Sequence, residues 1–276
     1  MTISSILNSS LNSSSNNSNK IPGKNRGKMR AMGVAVFWLL LWHVLSLLVG
    51  KAVILPSPFE TAKTLFYLLF TLPFWQAVGV TLLRIIGGFL VAVVSGAALA
   101  VITHHSRLLR QALAPVLSII KAAPVASFII LMLIWLPNDS IPACISFLMV
   151  LPIVWGNVEK GLANVDAEIL EMAGVFKLSF TSKLKRIYIP SIMPFFMAGA
   201  ITSMGLAWKA GVAAEVLCTP RTAIGSELYT AKIYLETTEL FAWTAVIIIL
   251  SIILEKLFVR LLRLSGKKYN AGGESA

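Results

Sequence analysis

Few residues of this chain have types and spacing that could do chemistry, and most chemistry is excluded by what they lack. No G-x-x-x-x-G-K-[ST] loop is present to cradle a nucleotide phosphate. An LSGK tetrapeptide at 264–267 lies in a short basic tail and is discounted as a nucleotide contact. There is no H-E-x-x-H and no Ser/His/Asp set with a plausible scaffold. Cys144 and Cys218 stand too far apart for a metal spacing and read as buried packing residues. His43 reads as a packed or interfacial residue, and His104 and His105 as residues of a wet membrane boundary. No catalysis, metal or cofactor is therefore expected. Three ionisable residues remain of interest, Arg84, Lys209 and Glu215, because they fall within or at the ends of apolar runs. Charge there is costly and points either to function or to snorkelling. Either Arg84 and Lys209 attract an anion along a pathway, or Arg84 snorkels near the end of its helix while Lys209 sits near a helix end with Glu215 six residues on.

A second constellation is the polar stretch 166–194, DAEILEMAGVFKLSFTSKLKRIYIPSIMP, set between long apolar runs. Asp166 is suited to cap a helix beginning at Ala167, and Glu168 and Glu171 suit its positive N-terminal end. Ile169, Leu170, Met172, Ala173 and Phe176 form an apolar stripe at helical spacing. Gly174, Lys177 and Ser179 suit a turn, and a second short helix with Lys183, Lys185 and Arg186 is expected to stop at Pro190 and Pro194. Two short helices joined by a bend make a knob that can enter a cleft on another protein.

The elements that must position these residues are apolar helices. The chain has 276 residues, 57% hydrophobic and 13% charged, against roughly a quarter charged in soluble domains. Uncharged runs at 31–49, 85–103, 140–158 and 187–208 are each long enough to cross a bilayer, and 122–138 and 240–254 gain length from their flanks. The fold class expected is all-α, a polytopic membrane protein of about six transmembrane helices. A segment at 59–76 reads as an interfacial helix, with the second span starting near Val78 and running to about 102. Later spans are expected at about 141–157, 191–214 and 240–262, with an external loop at 215–239. Segment 108–137, broken by Pro115 and Pro124, is either a broken helix beside a pathway or a kinked packing helix.

Net charge is +12, with a sequence pI near 9.9. Seventeen of the 24 Lys and Arg fall at 20–30, 107–110, 160–186 and 256–268, and four (Lys51, Lys63, Arg221, Lys232) in the alternate loops. The basic excess therefore marks topology rather than nucleic-acid binding, with both termini cytoplasmic in the cell membrane. Residues 1–30 form a Ser/Asn-rich basic tail expected to be disordered, 31–265 the transmembrane domain and 266–276 a cytoplasmic tail. The first apolar run lacks a small-residue cleavage site and reads as an uncleaved anchor.

The polar stretch resembles the EAA loop of ABC-type importer permeases, over about 164–190. Glu171-Met172-Ala173 stands for E-A-A, and Ile187-Tyr188-Ile189-Pro190 closes the motif, Pro190 lying 19 residues after Glu171. Lys177 stands where that motif expects Gly, so either Lys tolerates the bend or the bend moves to Gly174. LPSP at 55–58, TLLR at 81–84 with Gly88 and Phe89, KAAPVA at 121–126, LAWKAGVAAEVL at 206–217 and AKIYLETTELFAW at 231–243 are similar to the nitrate/sulfonate/taurine subgroup. The resemblance implies a type I importer permease without an ATPase of its own, moving a small, anionic solute. It implies two cytoplasmic ATP-binding cassette subunits docked through Asp166, Glu168, Glu171, Met172, Ala173, Gly174, Lys177 and Pro190, an extracytoplasmic binding protein and a second copy of the chain. A self-contained secondary transporter or channel, or a membrane-embedded enzyme, are the competing classes.

Overall fold

The computed structural model of the protein describes residues 24–270 and is helical, with no strand among them. It divides into two units, Met1–Pro58 and Phe59–Ala276. In the first, α1 (Lys24–Val49) ends at Gly50, whose positive φ of 64° turns the chain. The LPSP segment folds back on this helix. The Trp42 indole donates to the Pro56 carbonyl at 3.1 Å, and the Ser46 hydroxyl to the Leu55 carbonyl at 3.0 Å. The tail expected at 1–30 lies outside the described residues up to position 23, and α1 takes in 24–30. Residues 271–276 of the expected C-terminal tail also lie outside them.

The second unit opens with α2 (Pro58–Leu69) and α3 (Leu72–His105). The interfacial helix is shorter than expected and α3 starts six residues before Val78. Pro73 sits in its first turn, where a missing N–H costs nothing. Helices α4 (Arg107–Ala122) and α5 (Val125–Met132) meet at 102° across Ala123 and Pro124, which makes 108–137 a broken pair. Pro124 cannot continue α4 and instead opens α5. Helix α6 (Ile141–Ala163) follows, six residues longer than expected.

Next come α7 (Ala167–Val175) and α8 (Phe180–Lys183), then a π-helical turn (Leu184–Tyr188) leading into α9 (Ile189–Cys218). A further helix, α10 (Ile224–Ile233), occupies what reads from sequence as an external loop, and α11 (Thr237–Asn270) ends the description. Among the described residues, four helical stretches are long and apolar enough to cross a bilayer, at Met32–Val49, Leu72–His105, Ile141–Ala163 and Phe180–Cys218. The bent α4–α5 pair makes a fifth if it is one span, and α11 carries the uncharged run 240–254.

The core of this unit is α3, α6 and α9 packed together through small residues. Gly88 and Gly96 of α3 meet α6, where a Cβ on Gly88 would collide with the Ala143 carbonyl. Gly161 of α6 meets Ile192 and Phe195 of α9. On α9, Gly199 lies on Asn157, and Gly211 on Ile85 and Ser146. Without a hydrophobic drive between helices in lipid, such close backbone approaches supply the packing energy. They also fix direction: α3 and α6 run parallel, and α9 runs antiparallel to both.

Several polar groups inside the bundle are paired. The Trp155 indole donates to Thr103 Oγ1 at 2.9 Å, and Ser146 to the Ala207 carbonyl at 3.2 Å. In the C-terminal half of α6, Arg110 pairs with Glu159 at 2.5 Å and the Lys121 ammonium lies 6.0 Å over the Trp155 ring, tying α4 to α6.

Candidate functional site

At the α6–α9 turn the chain builds the knob. Asp166 Oδ1 accepts from the Glu168 N–H at 2.9 Å and starts α7. The helix ends in a Schellman motif. The Leu178 N–H bonds the Ala173 carbonyl and the Lys177 N–H the Gly174 carbonyl, each at 3.0 Å. Lys177 takes the left-handed conformation at φ +48°, so the bend stays where the motif expects Gly and does not move to Gly174. Ser179 then caps α8, accepting from the Ser182 N–H at 3.3 Å.

The second helix does not stop at Pro190, as expected from sequence, but continues as one helical stretch, Phe180–Cys218. The wider π turn, in which the Ile189 N–H reaches the Leu184 carbonyl, sits immediately before Pro190. Pro190 occupies the first turn of α9, where its missing N–H and fixed φ are tolerated. The knob is therefore one piece with a spanning helix.

Of the residues read as the docking surface, Asp166, Glu168, Glu171, Met172, Gly174, Lys177 and Pro190 are exposed and Ala173 is buried. Of the apolar stripe, Ile169, Met172 and Phe176 are exposed, Leu170 is half-buried and Ala173 is buried, and further apolar residues of the knob also face outward. Met172 is 54% exposed, Val175 80%, Phe176 71% and Phe180 75%.

The other end of α9 carries a polar clasp. Glu215 is fully buried; its Oε2 accepts from Thr81 Oγ1 at 3.0 Å and from the Gly225 N–H at 3.2 Å, while Oε1 has no partner. Thr81 Oγ1 in turn accepts from the Ile224 N–H at 3.0 Å. One turn along α3, Arg84 pairs with Asp139 at 2.6 Å and donates to the Thr222 carbonyl at 2.7 Å. Asp139 also accepts from the Arg221 N–H at 3.3 Å, and Asn138 Nδ2 donates to the Cys218 carbonyl at 2.6 Å. The clasp thus joins α3, the loop before α6 and the α9–α10 connection, which turns at Thr219 with φ +42°. On α10, outside the spanning helices, burial pushes the Glu227 carboxyl above its ordinary range.

The three ionisable residues singled out from sequence therefore part company. Arg84 and Glu215 belong to the clasp, whereas Lys209 is exposed and, among the described residues, has no ion pair or hydrogen bond. Asp139, Thr222 and Gly225 are the clasp residues that sequence reasoning misses. The Pro-Asn-Asp turn at 137–139 is the signal that could have found the first.

Fold and site together define a polytopic helical membrane component, with a capped knob at one end of its bundle and a polar clasp at the other. Residues 88–270 match the model of the family described as the binding-protein-dependent transport system inner membrane component, and the chain belongs to that family. This is the type I ABC importer permease fold. The chain is 32% identical over 167 residues to the nitrate import permease protein of Leptolyngbya laminosa, covering 57% of this chain and 56% of that one. It is 24% identical over 225 residues to the putative aliphatic sulfonates transport permease protein of Bacillus subtilis, covering 80% of each. It is 26% identical over 162 residues to the bicarbonate transport system permease protein of Synechococcus elongatus, covering 57% of each. The match thus spans little more than half the length of the nitrate and bicarbonate relatives.

Proposed function

We propose that the chain is the permease subunit of an ATP-binding-cassette importer for a small anionic solute, of the kind its relatives' names specify (nitrate, sulfonates, bicarbonate). In this reading the knob lies in the cytoplasm and docks a separate ATPase. The clasp end faces an extracytoplasmic binding protein, and a second copy of the chain completes the pathway. Both termini are then cytoplasmic, in agreement with the distribution of Lys and Arg.

The observation that carries the proposal is mechanical. The knob's second helix runs unbroken into α9, whose far end carries Glu215 of the clasp. A push on Met172, Val175 and Phe176, apolar groups that this unit leaves uncovered, would be delivered along α9 to the other end of the bundle. ATP-driven closure of two ATPases would draw two knobs together and rock the bundles between inward-open and outward-open states, a rigid-body switch between two packings. Asp166, Glu168, Glu171, Gly174, Lys177 and Pro190 shape and surround that patch, with Ala173 beneath it.

The test is co-purification of the cognate ATPase with the membrane-extracted chain. Val175→Asp and Glu171→Lys are expected to release the ATPase while the permease remains folded. Retention equal to wild type would remove the knob as the docking element.

A further inference from the structure

Lys209 is the ionisable group at depth that the clasp leaves unused. It lies on an exposed face of α9 with Thr202, Leu206 and Ala213, while Trp208, Ala210 and Gly211 turn into the core. Its depth follows from packing. Gly211 lies on Ile85, so Lys209, two residues earlier, sits ~3 Å further toward the knob, near the middle of the 34-residue α3. About 14 Å of helix separates it from Cys218, farther than a lysine stem snorkels. A lipid headgroup phosphate does not reach that level either.

A charge presented there to acyl chains is costly, and the bundle offers it no counterion. Helix α3 contains no acidic residue, Asp139 is taken by Arg84 and the Arg221 N–H, and Glu159 of α6 and Glu215 of α9 are buried. Glu255 lies far along α11 beside Lys256. A second copy brings only the same side chains. The face must then be wet.

We infer that the α9 face bearing Thr202, Lys209 and Ala213 lines the water-filled translocation pathway and that Lys209 is its anion-attracting group. This deepens the importer reading and rests on it: the cargo selected at this depth is a small anion, and the other two charged candidates hold the clasp instead. Two copies would set two such ammonium groups around one path.

The test needs no knowledge of the cargo. Ala213 lies one helical turn from Lys209 on the same face, so A213C is introduced into the full chain in liposomes with its partners. Its modification by an anionic and by a cationic methanethiosulfonate is timed against the parent, whose Cys144 and Cys218 set the background. Both reagents are expected to react, and adding K209Q is expected to lower the anionic-to-cationic rate ratio about tenfold. If A213C does not accumulate, T202C replaces it, with a smaller fall expected two turns away. Two results would overturn the inference. One is reaction only with membrane-permeant N-ethylmaleimide, which makes the face dry; the other is a ratio indifferent to K209Q. Wild-type retention of the ATPase by Val175→Asp and Glu171→Lys in the docking test, with the labelling pattern intact, would instead sink the coupling reading and leave a charged aqueous path.

Discussion

Thr81 Oγ1 stands 3.0 Å from Glu215 Oε2 across 134 residues of sequence, and through that contact α3 and α9 are joined inside the bundle. The hydroxyl works in both directions, donating to the carboxylate and accepting from the Ile224 N–H. Thr81→Val keeps the shape but strands both groups. It is expected to cost about 1–3 kcal/mol, read as a lower thermal midpoint in detergent, with Thr81→Ser close to wild type. Equal midpoints for Val and wild type would remove the clasp as a stabilising element.

The glycines of α3 give a contrast between neighbours. A Cβ on Gly88 would meet the backbone of Ala143, whereas one on Gly87 meets nothing within 4 Å. Gly88→Ala is therefore expected to push α3 off α6 and lower the yield of monodisperse protein on size exclusion. Gly87→Ala should leave it unchanged or improve it slightly, since Ala suits helices better. Similar behaviour of the two variants would contradict the packing described.

Lys177 tests the knob's bend. With φ at +48° it bears the left-handed penalty that glycine escapes, so Lys177→Gly is expected to slow hydrogen exchange of the 167–178 amides, by a local gain of about 1–2 kcal/mol. A Cβ on Gly174, inside α7, meets nothing within 4 Å. Gly174→Ala should be tolerated, with a helix gain of about 0.5–1 kcal/mol. Faster exchange in Lys177→Gly would mean that the lysine side chain, not the backbone, holds the turn.

Glu227 introduces a pH dependence whose sign is fixed by burial. Its folded carboxyl is raised above 4.5, so the folded state holds the proton more tightly than the unfolded chain. The associated stability is fully present below the ordinary carboxylate range and is lost as pH rises through the raised value. Thermal midpoints of wild type should therefore fall relative to Glu227→Gln as pH is raised from 4.5. Parallel pH profiles would show that Glu227 is solvated.

How much of this was legible in the sequence depends on the range of the interactions involved. Long apolar runs and the Asp166 cap are local, and both are read directly from residue type. The motif left the bend at either Lys177 or Gly174; that it stays at Lys177 was not legible, because hydrogen bonds to Ala173 and Gly174 outweigh one residue's preference. Pro190 misled because a proline ends a helix only where its missing N–H is needed, and the π turn removes that need. Helix α10 was missed because its Gly, Ser, Thr and Lys residues read as a loop; its start is fixed by Thr81 and Glu215, which lie on other elements. Arg84 was visible as a charge, but its partner Asp139 is 55 residues away, so no local pattern announces the ion pair.

The central claim is that work done by a separate ATPase enters this bundle through its knob. The most direct measurement is ATP hydrolysis by the reconstituted complex, basal and with binding protein supplied with nitrate, an alkanesulfonate or bicarbonate, in wild type and in Phe176→Asp. Stimulation in wild type that disappears in Phe176→Asp is the expected result. Undiminished stimulation in the variant, or uphill accumulation of any of these anions by the chain alone in liposomes, would contradict the account.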